Sequence, residues 1–501
     1  MTMTNSSRAF PALHSGNQRV ALLAGQTPWT YGRLNQRIDQ LASGLLGNKN
    51  DLQEERIAFC MPASADYVTT LLGIWRAGGI AVPLNVAAAL PELEHALSTA
   101  GVTRLVFSTG FNAETSQGLA ALCGELGIEV VSVAELERGS IRTLPELAAE
   151  RRAMMLFTSG TTNKPKGVVS THKNIRAQIT NLLEAWRWQE DDSIPLFLPL
   201  HHIHGIINVL CCALWIGARV TLFPRFDMET ILAQVAARDY SVFMAVPTIY
   251  VKMIGHLESL PAPHRASICA GFRAMRLNIS GSAACPVKLF LQWQELTGQS
   301  LLERYGMTEI GMAISNPYLG ERRAGAVGMP LPGVTVALFD ERGEIIEAED
   351  VPGEIRVLGD TVFAEYWNNP KASEESFVDG WFCTGDVAVR EGGYYRIMGR
   401  SSVDIIKSGG YKLSALEIEG TLLSHEKIAE CAVVGVEDET WGEAVTAFVV
   451  LRPGQILDYA ELKAWCETRM SAYKIPKVLR LLDSLPRNAM GKVLKPALKN
   501  S

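Results

Sequence analysis

The chain has 501 residues, 48% of them hydrophobic and 20% charged, with a net charge of −6. That length exceeds one ordinary core and predicts two or more domains. The composition excludes a disordered chain, the acidic balance argues against a nucleic-acid-binding surface, and no apolar run reaches the ~18 residues needed to span a bilayer.

Nine cysteines occur, an odd number without a CxxC pair and mostly within apolar runs. Buried, reduced thiols in a reducing compartment are the economical reading. No secretory signal is present. Arg8 and Arg19 precede the first acidic residue, Asp39, which hints at an organelle transit segment. Trp29–Leu34 already reads as folded domain, so the expected location is cytoplasmic, with the mitochondrial matrix as the alternative.

Taken in chain order, residues 35–110 alternate helix-like and strand-like patterns: amphipathic Gln40–Leu46, strand-like Arg56–Cys60, helical Tyr67–Ala77, then a short strand ending at Pro83. Val102–Phe107 and Ile128–Val133 repeat the strand pattern. This alternation predicts an α/β fold whose mostly parallel sheet is covered by helices on both faces. Nothing before residue 151 carries evident chemistry.

The strand-like run Met154–Phe157 then opens into Leu156–Val169, LFTSGTTNKPKGVV. Thr158, Ser159, Thr161 and Thr162 offer hydroxyls, Gly160 lets backbone N–H groups approach a ligand, and Lys164 and Lys166 add positive charge. The segment suits an anion with several oxygens, a nucleotide triphosphate above all. It is not a Walker A loop, since no Gly-x4-Gly-Lys-Ser/Thr occurs.

Asn174–Trp186 reads as a helix, and His201–Gly205 (HHIHG) precedes a further helix, Ile206–Trp215. Three histidines invite a metal reading, but no carboxylate or cysteine ligand is near in sequence; packing at the helix head and a substrate pocket are the other readings. Leu277–Ala284 is a strand running into a small-residue turn containing Ser280 and Ser282. In Leu301–Glu309 (LLERYGMTE), Tyr305 offers a ring to stack on a purine, Gly306 permits a tight turn, and Thr308 and Glu309 supply oxygens. Glu309 is the natural protein ligand for the Mg2+ that accompanies ATP. A β-rich piece, Thr335–Leu358, follows. Gly380–Asp386 (GWFCTGD) then holds a carboxylate, Asp386, suited to both ribose hydroxyls.

A polar linker near residue 401 leads to a diglycine, Gly409 and Gly410, beside Tyr411 and Lys412, where a pantetheine arm would pass close to backbone. About 100 residues of α+β pattern complete the chain, a comfortable small domain. They end in Leu485–Lys492 (LPRNAMGK).

The loop at 156–169, the YGMTE segment and the closing PRNAMGK together resemble the adenylate-forming enzymes: acyl-CoA synthetases, peptide-synthetase adenylation domains and luciferase. The family usually has glycine where this chain has Asn163, the next-best residue at positive φ. The resemblance implies a large AMP-binding domain, 1–400, of parallel-rich sheets layered with helices plus a β-rich subdomain. It also implies a small mobile C-terminal domain, 401–501, with its hinge within Ser401–Asp404. It assigns ATP or AMP binding to Thr158, Ser159, Gly160, Thr161, Thr162, Lys166, Ser282, Glu303, Tyr305, Gly306, Asp386 and Arg400. Lys492 becomes the adenylation lysine, acting with Glu309 and Thr308, and His202 or His204 the contact beside the acyl group. Coenzyme A is the implied acceptor, at Gly409, Gly410 and Lys412. No catalytic nucleophile is evident, so positioning and charge stabilisation carry the reaction.

Arg304 bears on which acid is taken. If Tyr305 faces the nucleotide, Arg304 stands at the wall of the acyl pocket, and a buried arginine wants a carboxylate. Glu303 offers one internally, which would suit a monocarboxylate substrate such as a fatty, short-chain or aryl acid. A second carboxylate on the substrate is the other partner, with Arg276 competing for it. Arg304, the histidine run and the Ser280–Ser282 turn resemble the malonyl-CoA synthetases, which implies malonate or methylmalonate. The expected partners are small molecules, with the protein a monomer or homodimer.

Overall fold

The structure, a computed structural model, describes residues 10–14, 18–108, 113–158, 165–401, 403–408, 411–487 and 493–499. Two compact units emerge: Met1–Thr335 with Leu358–Phe382, and Val336–Val357 with Cys383–Ser501.

The first unit contains three sheets. The largest has seven strands, five of them parallel: Arg152–Thr158, Ile80–Pro83, Arg56–Phe59, Arg104–Phe107 and Glu129–Ser132. Lys166–Thr171 runs antiparallel to Arg152–Thr158, and Glu365–Tyr366 pairs antiparallel with Lys166–Thr171 at the edge. Ile80–Pro83 is buried throughout, as a central strand covered on both faces must be. The helices that cover it are set by their caps and stripes. In Ala65–Arg76, Ser64 accepts the Tyr67 N–H at the N-terminus, with Asp66 in the first turn and Arg76 in the last. In Tyr31–Leu46, Leu34, Ile38, Leu41 and Leu45 recur at helical spacing and are buried, each contributing roughly 1.5–3 kcal/mol. The folded part begins earlier than Trp29: Val20–Ala24 is a strand of a second, four-stranded sheet.

The third sheet supports the chemistry. Val242–Ala245, Leu277–Ser280 and Leu302–Met307 run parallel, and Gly311–Ser315 turns back antiparallel. Behind it Phe243, Tyr250, Phe272 and Trp293 pack edge to face with centroids 4.7–6.0 Å apart. The Tyr250 hydroxyl donates to the Ile279 carbonyl at 2.8 Å, fixing the strand just before Ser280.

In the second unit, Trp381–Glu391 pairs antiparallel with Tyr394–Arg400. A further sheet, Tyr411–Ser414, Ile405–Ser408, Gly442–Leu451 and Ile428–Asp438, with Val478–Leu481 alongside, closes over the helices Ala415–Leu422 and Tyr459–Glu467. Ile406, Ile418, Val433 and Leu462 lie in its core. Among the described residues no helix is long and apolar enough to cross a membrane, and no disulfide joins any of the nine cysteines.

One element departs from its expected form. In place of an α-helix over Ile206–Trp215, His204–Cys211 is a π-helix that passes into a short α-helix, Cys212–Ile216. Every residue of the π-stretch is buried, so periodicity could not announce the wider turn.

Candidate active site

The expected phosphate-binding segment joins two antiparallel strands. Thr158 pairs with Lys166 across the ladder, so the two flanking strands make a hairpin. Ser159, Gly160, Thr161, Thr162 and Asn163 lie outside the described residues, as do Gly409, Gly410 and Lys492 and the side chain of Lys412. Lys166 Nζ stands 4.8 Å over the ring of Tyr366. The hydroxyl of the same tyrosine donates to Glu309 Oε1 at 3.0 Å, and the Phe363 N–H donates to the Glu309 carbonyl at 2.7 Å. Glu309 is thereby held, 5% exposed, beside the hairpin that ends at Lys166. Sequence reasoning missed Tyr366: it lies in a two-residue strand whose pairing with Val168 brings it to the site, and no local pattern marks it.

Glu309 suits magnesium chemically. Among the described residues no three His, Cys, Asp or Glu side chains converge on a common point. A single carboxylate near hydroxyl groups is the donor set expected when Mg2+ arrives with phosphate oxygens and retains waters. Among the described residues the histidine run is part of no such group. His201 and His202 pack ring to ring at 4.2 Å, and His204 faces elsewhere.

Arg304 Nη2 donates to Ser282 Oγ at 3.1 Å, and Ser282 Oγ lies 3.1 Å from His204 Nδ1. Arginine only donates, so the serine oxygen accepts from it, and the direction of its contact with His204 Nδ1 follows the imidazole tautomer. Burial and the adjacent Arg304 charge hold His204 well below the usual histidine range, and it is neutral. Arg304 and His204 are 4% and 5% exposed. His204 Nε2 and Arg304 Nε are both buried without a hydrogen-bond partner among the described residues.

The guanidinium lies where a Cβ at Gly281 would stand, 2.5 Å from Nε, so only glycine admits it there. Ser282 adopts φ +67° to aim its hydroxyl, strain tolerated at a constrained functional position. Of the assigned nucleotide contacts, Ser282 thus belongs to the Arg304 cluster. Gly306 is required by its hairpin, since a Cβ would meet the Gly311 carbonyl oxygen at 2.1 Å.

Two expectations are corrected. Glu303 does not neutralise Arg304: adjacent strand residues face opposite ways, and Glu303 Oε1 accepts the Gly325 N–H at 3.2 Å. Burial pushes the Glu303 carboxyl up to about 8. Arg276 is not available for a substrate carboxylate. Its Nε donates to Asp192 Oδ1 at 2.7 Å, its Nη2 to Asp192 Oδ2, and its Nη1 to the Trp186 carbonyl at 2.9 Å. Arg304 is therefore a buried cation without a protein carboxylate among the described residues, its guanidinium lowered by burial to about 10 and still charged at neutral pH.

His202 is exposed and Ser280 fully buried. Thr308 and Tyr305 are half-buried. Asn208, four residues after His204 in the π-helix, is 1% exposed with neither amide atom hydrogen-bonded; its run of apolar neighbours hid it from sequence reasoning.

In the second unit Asp386 and Arg400 face each other across a hairpin, Arg400 Nε donating to Asp386 Oδ1 at 3.1 Å. Thr384 Oγ1 accepts the Asp386 N–H and donates to the Ile355 carbonyl at 2.7 Å. A carboxylate positioned from both sides, with an adjacent cation, suits a diol beside a phosphate.

Residues 12–367 match the family model described as AMP-binding enzyme, and 417–492 match the AMP-binding enzyme C-terminal domain. The chain is 41% identical to the human mitochondrial malonate–CoA ligase ACSF3, over 98% of its own length and 92% of the relative's. With the malonate–CoA ligase of Arabidopsis thaliana it shares 38% identity over 98% and 88% of the two chains. Its fold superposes on ATP-bound MatB from Rhodopseudomonas palustris with a TM-score of 0.87 and 31% identity, over 99% and 98% of the chains. With the hairpin loop, the Glu309 carboxylate and these matches together, the chain belongs to the AMP-binding enzymes.

Proposed function

We propose that the protein joins malonate or methylmalonate to coenzyme A in two steps, at the expense of ATP. A substrate carboxylate oxygen attacks the α-phosphorus of ATP, the α–β phosphoanhydride bond breaks, and pyrophosphate leaves. The coenzyme A thiol, giving up its proton, then attacks the acyl carbonyl of the adenylate and AMP departs. The observation that carries the dicarboxylate reading is the buried charge of Arg304, unmatched by any described protein carboxylate. An isolated buried cation is costly, and the second carboxylate of a diacid neutralises it beside the unpartnered His204 Nε2. The names of the relatives support the same substrate.

The hairpin residues Thr158–Lys166 bind the phosphates, Tyr305 stacks on adenine, and Asp386 with Arg400 takes the ribose. Glu309, with Thr308 beside it, would hold Mg2+, which supplies charge neutralisation at the phosphates. Lys492 stabilises the charge that develops as carboxylate and α-phosphate approach. Residues 401–501 move about Ser401–Asp404 to bring it in, and Gly409, Gly410 and Lys412 then pass the pantetheine arm. Thiols without disulfides fit a reducing compartment, the cytoplasm or the matrix.

An acid panel with ATP, Mg2+ and coenzyme A tests this. Arg304→Ala should remove turnover of malonate and spare that of acetate or butyrate. Malonate turnover that survives the substitution intact refutes the dicarboxylate reading.

A further inference from the structure

In the second unit, the most buried lysine among the described residues lies outside the assigned site. Lys495 is 8% exposed. Its Nζ stands 2.6 Å from Asp404 Oδ1 and 2.7 Å from Glu419 Oε1. Both carboxylates are themselves built in. Glu419 Oε1 also accepts the Val433 N–H at 2.7 Å, Asp404 Oδ2 accepts the Arg400 N–H at 3.1 Å, and the Asp404 carbonyl accepts the Ala415 N–H at 2.8 Å. Burial alone would lower this ammonium, but the two carboxylates outweigh it and hold it above the ordinary lysine range.

Two chain features give this cluster a consequence. Lys495 lies three residues after Lys492, where the short helix Lys495–Lys499 begins. The segment before it is pinned at its base: Arg487 pairs with Val493, and the Leu494 N–H donates to the Pro486 carbonyl at 2.8 Å. Leu485 and Leu498 seat the two ends in one apolar cluster. Asp404 reaches the other way as well, through Arg400 to Asp386. One side chain therefore ties the base of the lysine segment to the strand end that carries the ribose-binding pair.

We propose that Lys495 is a positioning residue for adenylation: its bridge to Asp404 and Glu419 fixes the base from which Lys492 reaches the reacting carboxylate. This rests on the role of Lys492 given above. A salt bridge of this kind is weak evidence for stability as such, whereas a 1 Å error in a reacting group costs on the order of 100-fold in rate.

The test separates the two half-reactions. Lys495→Met and the milder Glu419→Gln, which keeps the volume and leaves the Lys495–Asp404 contact in place, are measured in malonate-dependent pyrophosphate exchange and in thioester formation from supplied malonyl-adenylate. Lys492→Ala is the reference and thermal melting the folding control. The expected result is exchange slowed about 100-fold in Lys495→Met and ~10-fold in Glu419→Gln, with thioester formation from the adenylate within about threefold of wild type. Equal losses in both half-reactions, tracking a lowered melting temperature, overturn the proposal in favour of a purely structural bridge. Unchanged exchange in both variants alongside a dead Lys492→Ala overturns the anchor and leaves the role of Lys492 standing. Full exchange in Lys492→Ala overturns both.

Discussion

Tyr366 and Glu309, 57 residues apart, meet through a 3.0 Å hydrogen bond from the phenol to the carboxylate, while the tyrosine ring lies beneath Lys166. The contact gives one residue a hold on the carboxylate proposed to take Mg2+ and on the strand Lys166–Thr171. A hydrogen bond to a charged group contributes roughly 1.5–3 kcal/mol, so Tyr366→Phe should slow adenylation ~10-fold or more and raise the Mg2+ concentration needed for half-maximal rate. Tyr366→Leu, which also removes the ring under Lys166, should do worse. Pyrophosphate exchange across a Mg2+ titration reads both; an unshifted Mg2+ midpoint in Tyr366→Phe would show that the contact does not serve the metal.

Gly281 leaves room for the Arg304 guanidinium. In Gly281→Ala the new methyl would overlap Arg304 Nε and displace the cation from Ser282. Malonate kcat/KM should fall about 100-fold, with acetate turnover affected far less. Equal loss for both acids would mean that the substitution disturbs the nucleotide side instead.

Arg276 and Asp192 form a buried ion pair, with side chains 15% and 2% exposed. Breaking such a pair costs roughly 3–5 kcal/mol, so Arg276→Met should lower the denaturation midpoint and leave the malonate-to-acetate ratio of the folded fraction unaltered. A changed ratio would restore Arg276 to the acyl pocket.

Glu303 makes stability depend on pH. Its carboxyl is raised from 4.5 to about 8 by burial, so between those values the folded protein holds a proton that the unfolded chain has lost. Stability is therefore complete below about pH 4.5 and declines as pH rises through 8, by on the order of 3 kcal/mol at pH 7. Glu303→Gln keeps an acceptor for the Gly325 N–H and removes the titration. Urea midpoints at pH 5 and pH 8 should converge in the variant and diverge in the wild type; parallel profiles would place the titrating group elsewhere.

What sequence reasoning reached was chemistry written contiguously. The run Tyr305–Glu309 lies along and just beyond one strand, so its spacing is its geometry, and the alternation of helix and strand predicted the layered parallel sheet. Long-range partners were out of reach. Nothing near Arg276 announces Asp192, 84 residues earlier, and nothing near Glu303 reveals that its acceptor oxygen serves Gly325. Helical period also fails inside a wholly buried stretch, which is why Ile206–Trp215 reads as one α-helix although His204–Cys211 is a π-helix.

That wider turn makes substrate choice separable from the scaffold. A π-turn behaves as one extra residue let into an α-helix, so excising a single residue from Gly205–Cys211 would let the stretch tighten and turn its leading histidine away from the serine. The sheet behind and the nucleotide side would keep their register. Under the proposed role of Arg304 and its serine, the length of one helical turn becomes a lever on which acid is taken.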